Sequence, residues 1–74
     1  MEKVSPQMRL SAAIRALREE LKLSQDSFAD RIAMHRAYYS SIERGERNVT
    51  LDTLLRVAAG LKTDVATLAR KAKI

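Results

Sequence analysis

The twenty residues from Gln25 to Arg44, QDSFADRIAMHRAYYSSIER, constrain the fold more than any other stretch of the chain. At helical spacing they carry two short apolar faces. Phe28, Ala29 and Ile32 make the first face at i, i+1 and i+4, and Tyr39 and Ile42, three apart, make the second. Met34 falls in the join between them. The pattern predicts a helix, a tight turn at Ala33-Met34-His35, and a second helix from about Arg36. Ala29 is small, as a close crossing of two helices requires. On the second helix Arg36, Ala37, Ser40 and Ser41 lie together on the side away from Tyr39 and Ile42. They are small or hydrogen-bonding, and none is acidic. A merely solvated face more often mixes Lys with Glu, so this one reads as shaped to meet another surface. An ordinary polar helix face is the alternative.

The flanking residues supply three further helices, so the predicted fold is all-α: a compact five-helix bundle. Met1 to Val4 reads as a frayed tail. Ser5-Pro6 then starts the first helix, with Ser as N-cap and Pro where its missing N–H costs nothing. Leu10, Ala13, Ile14, Leu17 and Leu21 continue it as an apolar stripe. Ser24 caps the helix that begins at Gln25, and Asp26 complements its dipole. Gly45 is the expected helix C-cap, followed by the polar loop Glu46 to Val49. Thr50 caps a fourth helix bearing Leu51, Leu54, Leu55, Val57 and Ala58, and Gly60 to Thr63 ends it. Asp64 caps a fifth, with Val65, Leu68, Ala69 and Ala72 on one face and the basic Arg70, Lys71 and Lys73 at its end.

Seventy-four residues allow one domain, 1–74, with one small core. A core of that size often gains from pairing with a second copy. There is no cysteine, and His35 is the single histidine, which excludes disulfide staples and Cys- or His-rich metal sites. No cofactor is implied. No apolar run approaches the roughly 20 residues that span a membrane, and MEKVSPQMRL lacks the apolar core of a signal peptide. A cytoplasmic protein with no membrane partner is expected. The net charge of +5 suits a polyanionic partner. That charge is uneven: from Arg56 onward five Lys or Arg face one Asp. An enzyme finds no footing. No Ser sits in a nucleophile motif, no Gly-rich phosphate loop exists, and Glu19 and Glu20, being neighbours, diverge on a helix.

The run L-x-L-S-Q-x-x-x-A from Leu21 to Ala29, followed by S-I-E-R-G from Ser41 to Gly45, resembles the Cro/repressor-type (XRE) helix-turn-helix proteins. The resemblance runs without gaps from about Leu10 to Leu68 and places the motif at about 25–44. It implies a transcription regulator that binds double-stranded DNA. The size and the E-R-G-x-R-N-x-T run from Glu43 to Thr50 look most like the controller proteins of restriction–modification systems. Three positions depart from the family. Gly is usual where Lys22 stands, so Lys22 must adopt the backbone that Gly supplies or the helix end differs slightly. Gly is also usual where Ala33 stands, because φ is often positive there, and Pro is common where Val49 stands.

Residue by residue, the resemblance assigns base reading to His35, Arg36, Ala37 and Ser41, with Ser40 close by. Arg36 is the principal reader, since a guanidinium bridges O6 and N7 of guanine. Ala37 suits a thymine methyl. His35 stands where Ser or Thr is commoner, and a turn residue with no partner is an equal reading. Gln25 matches a family position where an amide binds a backbone phosphate. Tyr38, Arg47 and Asn48 are further phosphate candidates, with a plain polar loop as the alternative for the last two. Arg18 and Glu43 are implied as a structural ion pair joining the first helix to the recognition helix.

A homodimer on a palindromic operator is expected, its recognition helices about 34 Å apart. The fifth helix, about 64–73, is the expected dimer element through Leu61, Val65, Leu68 and Ile74. RNA polymerase is a further candidate partner if bound DNA is activated, with Asp30, Glu46 and Arg44 as equal candidates for its contact. The alternative function is an antitoxin or other protein-interaction module on the same fold. Such a module would carry acidic or bulky residues on the recognition face, where this chain has Arg36, Ser40 and Ser41.

Overall fold

The computed structural model describes residues 4–74, so all of the expected tail but Val4 lies outside the described residues. Five helices follow one another: α1 (Pro6–Glu20), α2 (Gln25–Arg31), α3 (Arg36–Glu43), α4 (Leu51–Gly60) and α5 (Val65–Ala72). Among the described residues there is no strand.

Four of the helices begin on a side-chain cap, which satisfies backbone N–H groups that the helix itself leaves unpaired. Ser5 Oγ accepts from the Met8 N–H at 3.1 Å, Ser24 Oγ from Ser27 at 3.0 Å, Thr50 Oγ1 from Thr53 at 3.2 Å and Asp64 Oδ1 from Thr67 at 2.7 Å. The cap of α3 is His35, whose side chain makes no capping bond.

All five helices stop on a residue in the left-handed region: Lys22 (φ 61°), Ala33 (φ 54°), Gly45 (φ 73°), Lys62 (φ 61°) and Lys73 (φ 61°). In each case the chain folds back to hydrogen-bond carbonyls of the last turn, as where Met34 N–H donates to Ala29 O at 2.8 Å. Only one of the five is glycine. Lys22 and Ala33 therefore adopt the backbone that glycine normally supplies, against the Cβ repulsion that disfavours it.

The core gathers one apolar face from every helix: Ile14 of α1, Phe28 and Ala29 of α2, Tyr39 and Ile42 of α3, Val57 and Ala58 of α4, and Leu68 of α5. Ile32, Met34 and Leu61, from the turns, complete it. Phe28 and Tyr39 stack at a 5.0 Å centroid separation, tilted by 50°. α4 meets α2 closely at Gly60, where a Cβ would lie 2.3 Å from Ile32 Cγ2 and 3.0 Å from Phe28 Cζ. No described helix is long and apolar enough to cross a membrane.

Two residues expected at a dimer interface belong instead to this core. Leu61 is 4% exposed and Leu68 is fully buried. α5 packs against α1 as well as α4, so its apolar face is consumed within the chain. Val65 is half-buried. The large apolar side chains left open are Leu51 and Leu55 on α4 and Ile74 beyond α5, together with Val4 and Met8 at the start.

Candidate nucleic-acid interface

α2, the four residues 32–35 and α3 form a helix-turn-helix, and the orientation of α3 is set from behind by one carboxylate. Glu43, the last residue of α3, accepts four hydrogen bonds. Arg18 of α1 donates through Nε to Oε2 at 2.6 Å and through Nη2 to Oε1 at 3.1 Å. Gln25 Nε2 donates to Oε1 at 2.9 Å, and the Tyr39 hydroxyl donates to Oε2. Arg18 also donates to the carbonyl of Leu23 at 2.6 Å, tying in the segment between α1 and α2. The side chains of Arg18 and Glu43 are 8% and 1% exposed. Burial pushes the Glu43 carboxyl up, but the hydrogen bonds from Arg18, Tyr39 and Gln25 more than offset it and hold the group below the usual carboxylate range. Burial and the adjacent carboxylate keep the Tyr39 phenol protonated far above its ordinary range. α1 grips the other side of α3 through Ser11, whose hydroxyl donates to the Ile42 carbonyl at 2.6 Å.

The outward side of α3 holds most of the expected base readers. Ala37 is exposed and Ser40 half-buried. The Arg36 guanidinium is open to solvent but paired with α2, donating to both oxygens of Asp30 at 3.3 and 2.8 Å and to Asp26 at 3.4 Å. Arg44 Nη1 donates to the Ser40 hydroxyl at 2.7 Å, and its other donors meet Glu46. His35 stands exposed at the turn.

Ser41 is not part of that open face. It is 5% exposed. Its hydroxyl donates to the Tyr38 carbonyl at 2.6 Å and accepts from Arg47 Nε at 3.0 Å. The reason is the loop after α3: the Arg47 guanidinium lies 5.3 Å over the Tyr38 ring and covers Ser41. That loop is itself anchored by Gln7 of α1, which donates to the carbonyls of Gly45, at 3.1 Å, and of Arg47.

Of the expected phosphate contacts, Tyr38 and Arg47 come together beside α3, Asn48 lies instead beside Pro6, Gln7, Leu10 and Ile74, and Gln25 stands apart at the start of α2. Gln25 spends one amide N–H on Glu43 and keeps the second. Sequence reasoning missed Gln7 as the anchor of the loop and missed Asp26 and Asp30 as partners of Arg36. The signal for the latter is that a tight turn brings the start of α3 back to the exposed side of α2.

A family model described as helix-turn-helix matches residues 14–68, which take in the whole of this arrangement. The chain belongs to the helix-turn-helix family. Among its relatives, control protein C.SmaI of Serratia marcescens is 44% identical over 59 residues, covering 80% of this chain and 70% of that protein. Control protein C.MunI of Mycoplasma sp is 54% identical over 44 residues, covering 60% of this chain and 60% of that protein's own length. Among solved structures, the restriction–modification controller protein C.Esp1396I, seen as a tetramer in complex with its natural 35 base-pair operator, superposes with a TM-score of 0.82 at 25% identity. That match covers 97% of this chain and 100% of the other. These relatives are control proteins, and an immunity repressor protein of Bacillus phage phi105 is also similar, at 36% identity over 82% of this chain and 42% of that protein.

Proposed function

We propose that this chain is a cytoplasmic, sequence-specific regulator of transcription that binds double-stranded DNA through α3, in the manner of a restriction–modification controller protein. The observation that carries the reading is the outward face of α3: Arg36, Ala37 and Ser40 on a helix whose angle is locked by Glu43. Arg36 and Ala37, at its first turn, are placed to reach base edges in a major groove. Tyr38 and Arg47 on one side, with Asn48 next in the loop, and Gln25 on the other serve as phosphate contacts, which position without reading sequence. His35 adds a contact at the turn. The net charge of +5 supports a polyanionic partner, and no catalytic residue is assigned.

The working unit is a homodimer on a palindromic site. The exposed apolar side chains of Leu51, Leu55 and Ile74, with half-buried Val65, are the surface offered for it, in place of Leu61 and Leu68. RNA polymerase is the further partner where bound DNA is activated. Of the three residues considered for that contact, Asp30 faces Arg36 while Arg44 and Glu46 engage each other, so each would contact polymerase with its charge already partnered.

The test is selection of binding sites from a random-sequence duplex pool, followed by affinity for the selected and a scrambled duplex over a salt series. A regulator of this kind discriminates by about 10³ or more and loses affinity steeply with salt. Equal, weak binding to both duplexes would contradict the reading.

A further inference from the structure

Arg36 stands at the first turn of α3, yet its guanidinium is tied back to α2. Nε and Nη2 donate to the two oxygens of Asp30 at 3.3 and 2.8 Å, and Nη1 donates to Asp26 at 3.4 Å. Asp30 therefore grips the side edge of the guanidinium. A guanidinium has five N–H groups, so two stay free, one on each terminal nitrogen. Two donors in one plane are what guanine O6 and N7 accept.

The charge balance matters as much as the geometry. A free guanidinium at a DNA surface is drawn to the nearest phosphate, where it adds affinity that is blind to sequence. Two carboxylates around one guanidinium leave the cluster with a net negative charge, which opposes the full charge of a phosphate more than the partial charges of a base edge. In water such an exposed cluster contributes little to stability. At a DNA surface, with water displaced, the same charges are felt more strongly.

We propose that Asp26 and Asp30 are specificity-determining positioning residues. They hold Arg36 to a base edge and away from the phosphates, so that its charge is converted into discrimination. The inference rests on the DNA-binding reading given above.

The experiment is a double-mutant cycle. Wild type, Asp30→Asn, Arg36→Ala and the double variant are titrated by fluorescence anisotropy against the wild-type selected duplex and a scrambled duplex at one salt concentration. Asp30→Asn tightens binding to scrambled DNA without tightening it on the selected site, so discrimination falls by about 3–10-fold. In the Arg36→Ala background the same change leaves discrimination unaltered. Asp26→Asn acts in the same direction, and because all three side chains are more than half exposed, the variants fold. Tighter binding to both duplexes by one common factor, with or without Arg36, would mean plain charge repulsion and would overturn the inference. A wild type that distinguishes no sequence defeats the DNA-binding reading itself. A discriminating wild type whose discrimination survives Asp30→Asn defeats only this inference.

Discussion

Arg18 and Glu43 face each other edge to edge, Nε to Oε2 at 2.6 Å and Nη2 to Oε1 at 3.1 Å, and through them α1 fixes the end of α3. Neither has an exposed side to fall back on, so each depends on the other to be tolerable inside the protein. Removing one partner leaves an uncompensated buried charge. Arg18→Ala or Glu43→Ala should each lose about 3–5 kcal/mol in urea denaturation, enough to unfold much of a chain this small. The double replacement should cost less than the sum of the two. Single losses below about 1 kcal/mol would match an exposed ion pair and show that the site is wet.

Glu43 also sets an acid limit. Its carboxyl binds a proton less readily when folded than when unfolded, despite its burial. The stability it supplies is complete above its unfolded value of 4.5 and disappears as pH falls through the lower folded value. Asp30, held down by Arg36, and Asp64, held down by the Thr67 backbone, act in the same direction. Thermal melts between pH 7 and 3 should show the midpoint falling below about pH 4.5, with a shallower fall in Glu43→Gln. A midpoint unchanged down to pH 3 would contradict the carboxylate hub.

Ala33 holds φ at 54°, where its Cβ crowds the backbone. Ala33→Gly relieves that repulsion, while the freer unfolded chain takes part of the gain back. A net stabilisation of about 0.5–1 kcal/mol is expected by chemical denaturation. Destabilisation would show that the turn between α2 and α3 has a different backbone.

Gly60 is needed for the opposite reason, namely space. A Cβ there would meet Ile32 Cγ2 at 2.3 Å and Phe28 Cζ at 3.0 Å. Gly60→Ala should therefore separate α4 from α2 and cost about 1–3 kcal/mol, although alanine is the better helix former. A stabilised Gly60→Ala, read by the same denaturation, would show that α4 does not approach α2 this closely.

What is legible in the sequence is what is local. Ser5, Ser24, Thr50 and Asp64 announce helix starts because a cap reaches only three residues ahead. The turn at Ala33 is legible because two apolar faces break phase there. Burial in three dimensions is less so. Leu61 and Leu68 look like surplus apolar surface in the sequence, yet Leu61, just past the end of α4, enters the core, and α1 and α4 between them cover the face of α5 that carries Leu68. Ser41 lies at a register where the resemblance implies base reading, and only the fold shows Arg47 lying across it. Asp30 and Arg36 are six apart with a turn between, at no helical spacing, so their pairing depends on the angle at which α3 leaves the turn.

Whether α3 reads DNA through Arg36 is decided by one titration: Arg36→Ala against the selected duplex and against scrambled DNA. The variant should lose about 1–3 kcal/mol on the selected duplex and much less on scrambled DNA. An equal loss on both would make Arg36 a phosphate contact, and no loss on either would remove α3 from the interface.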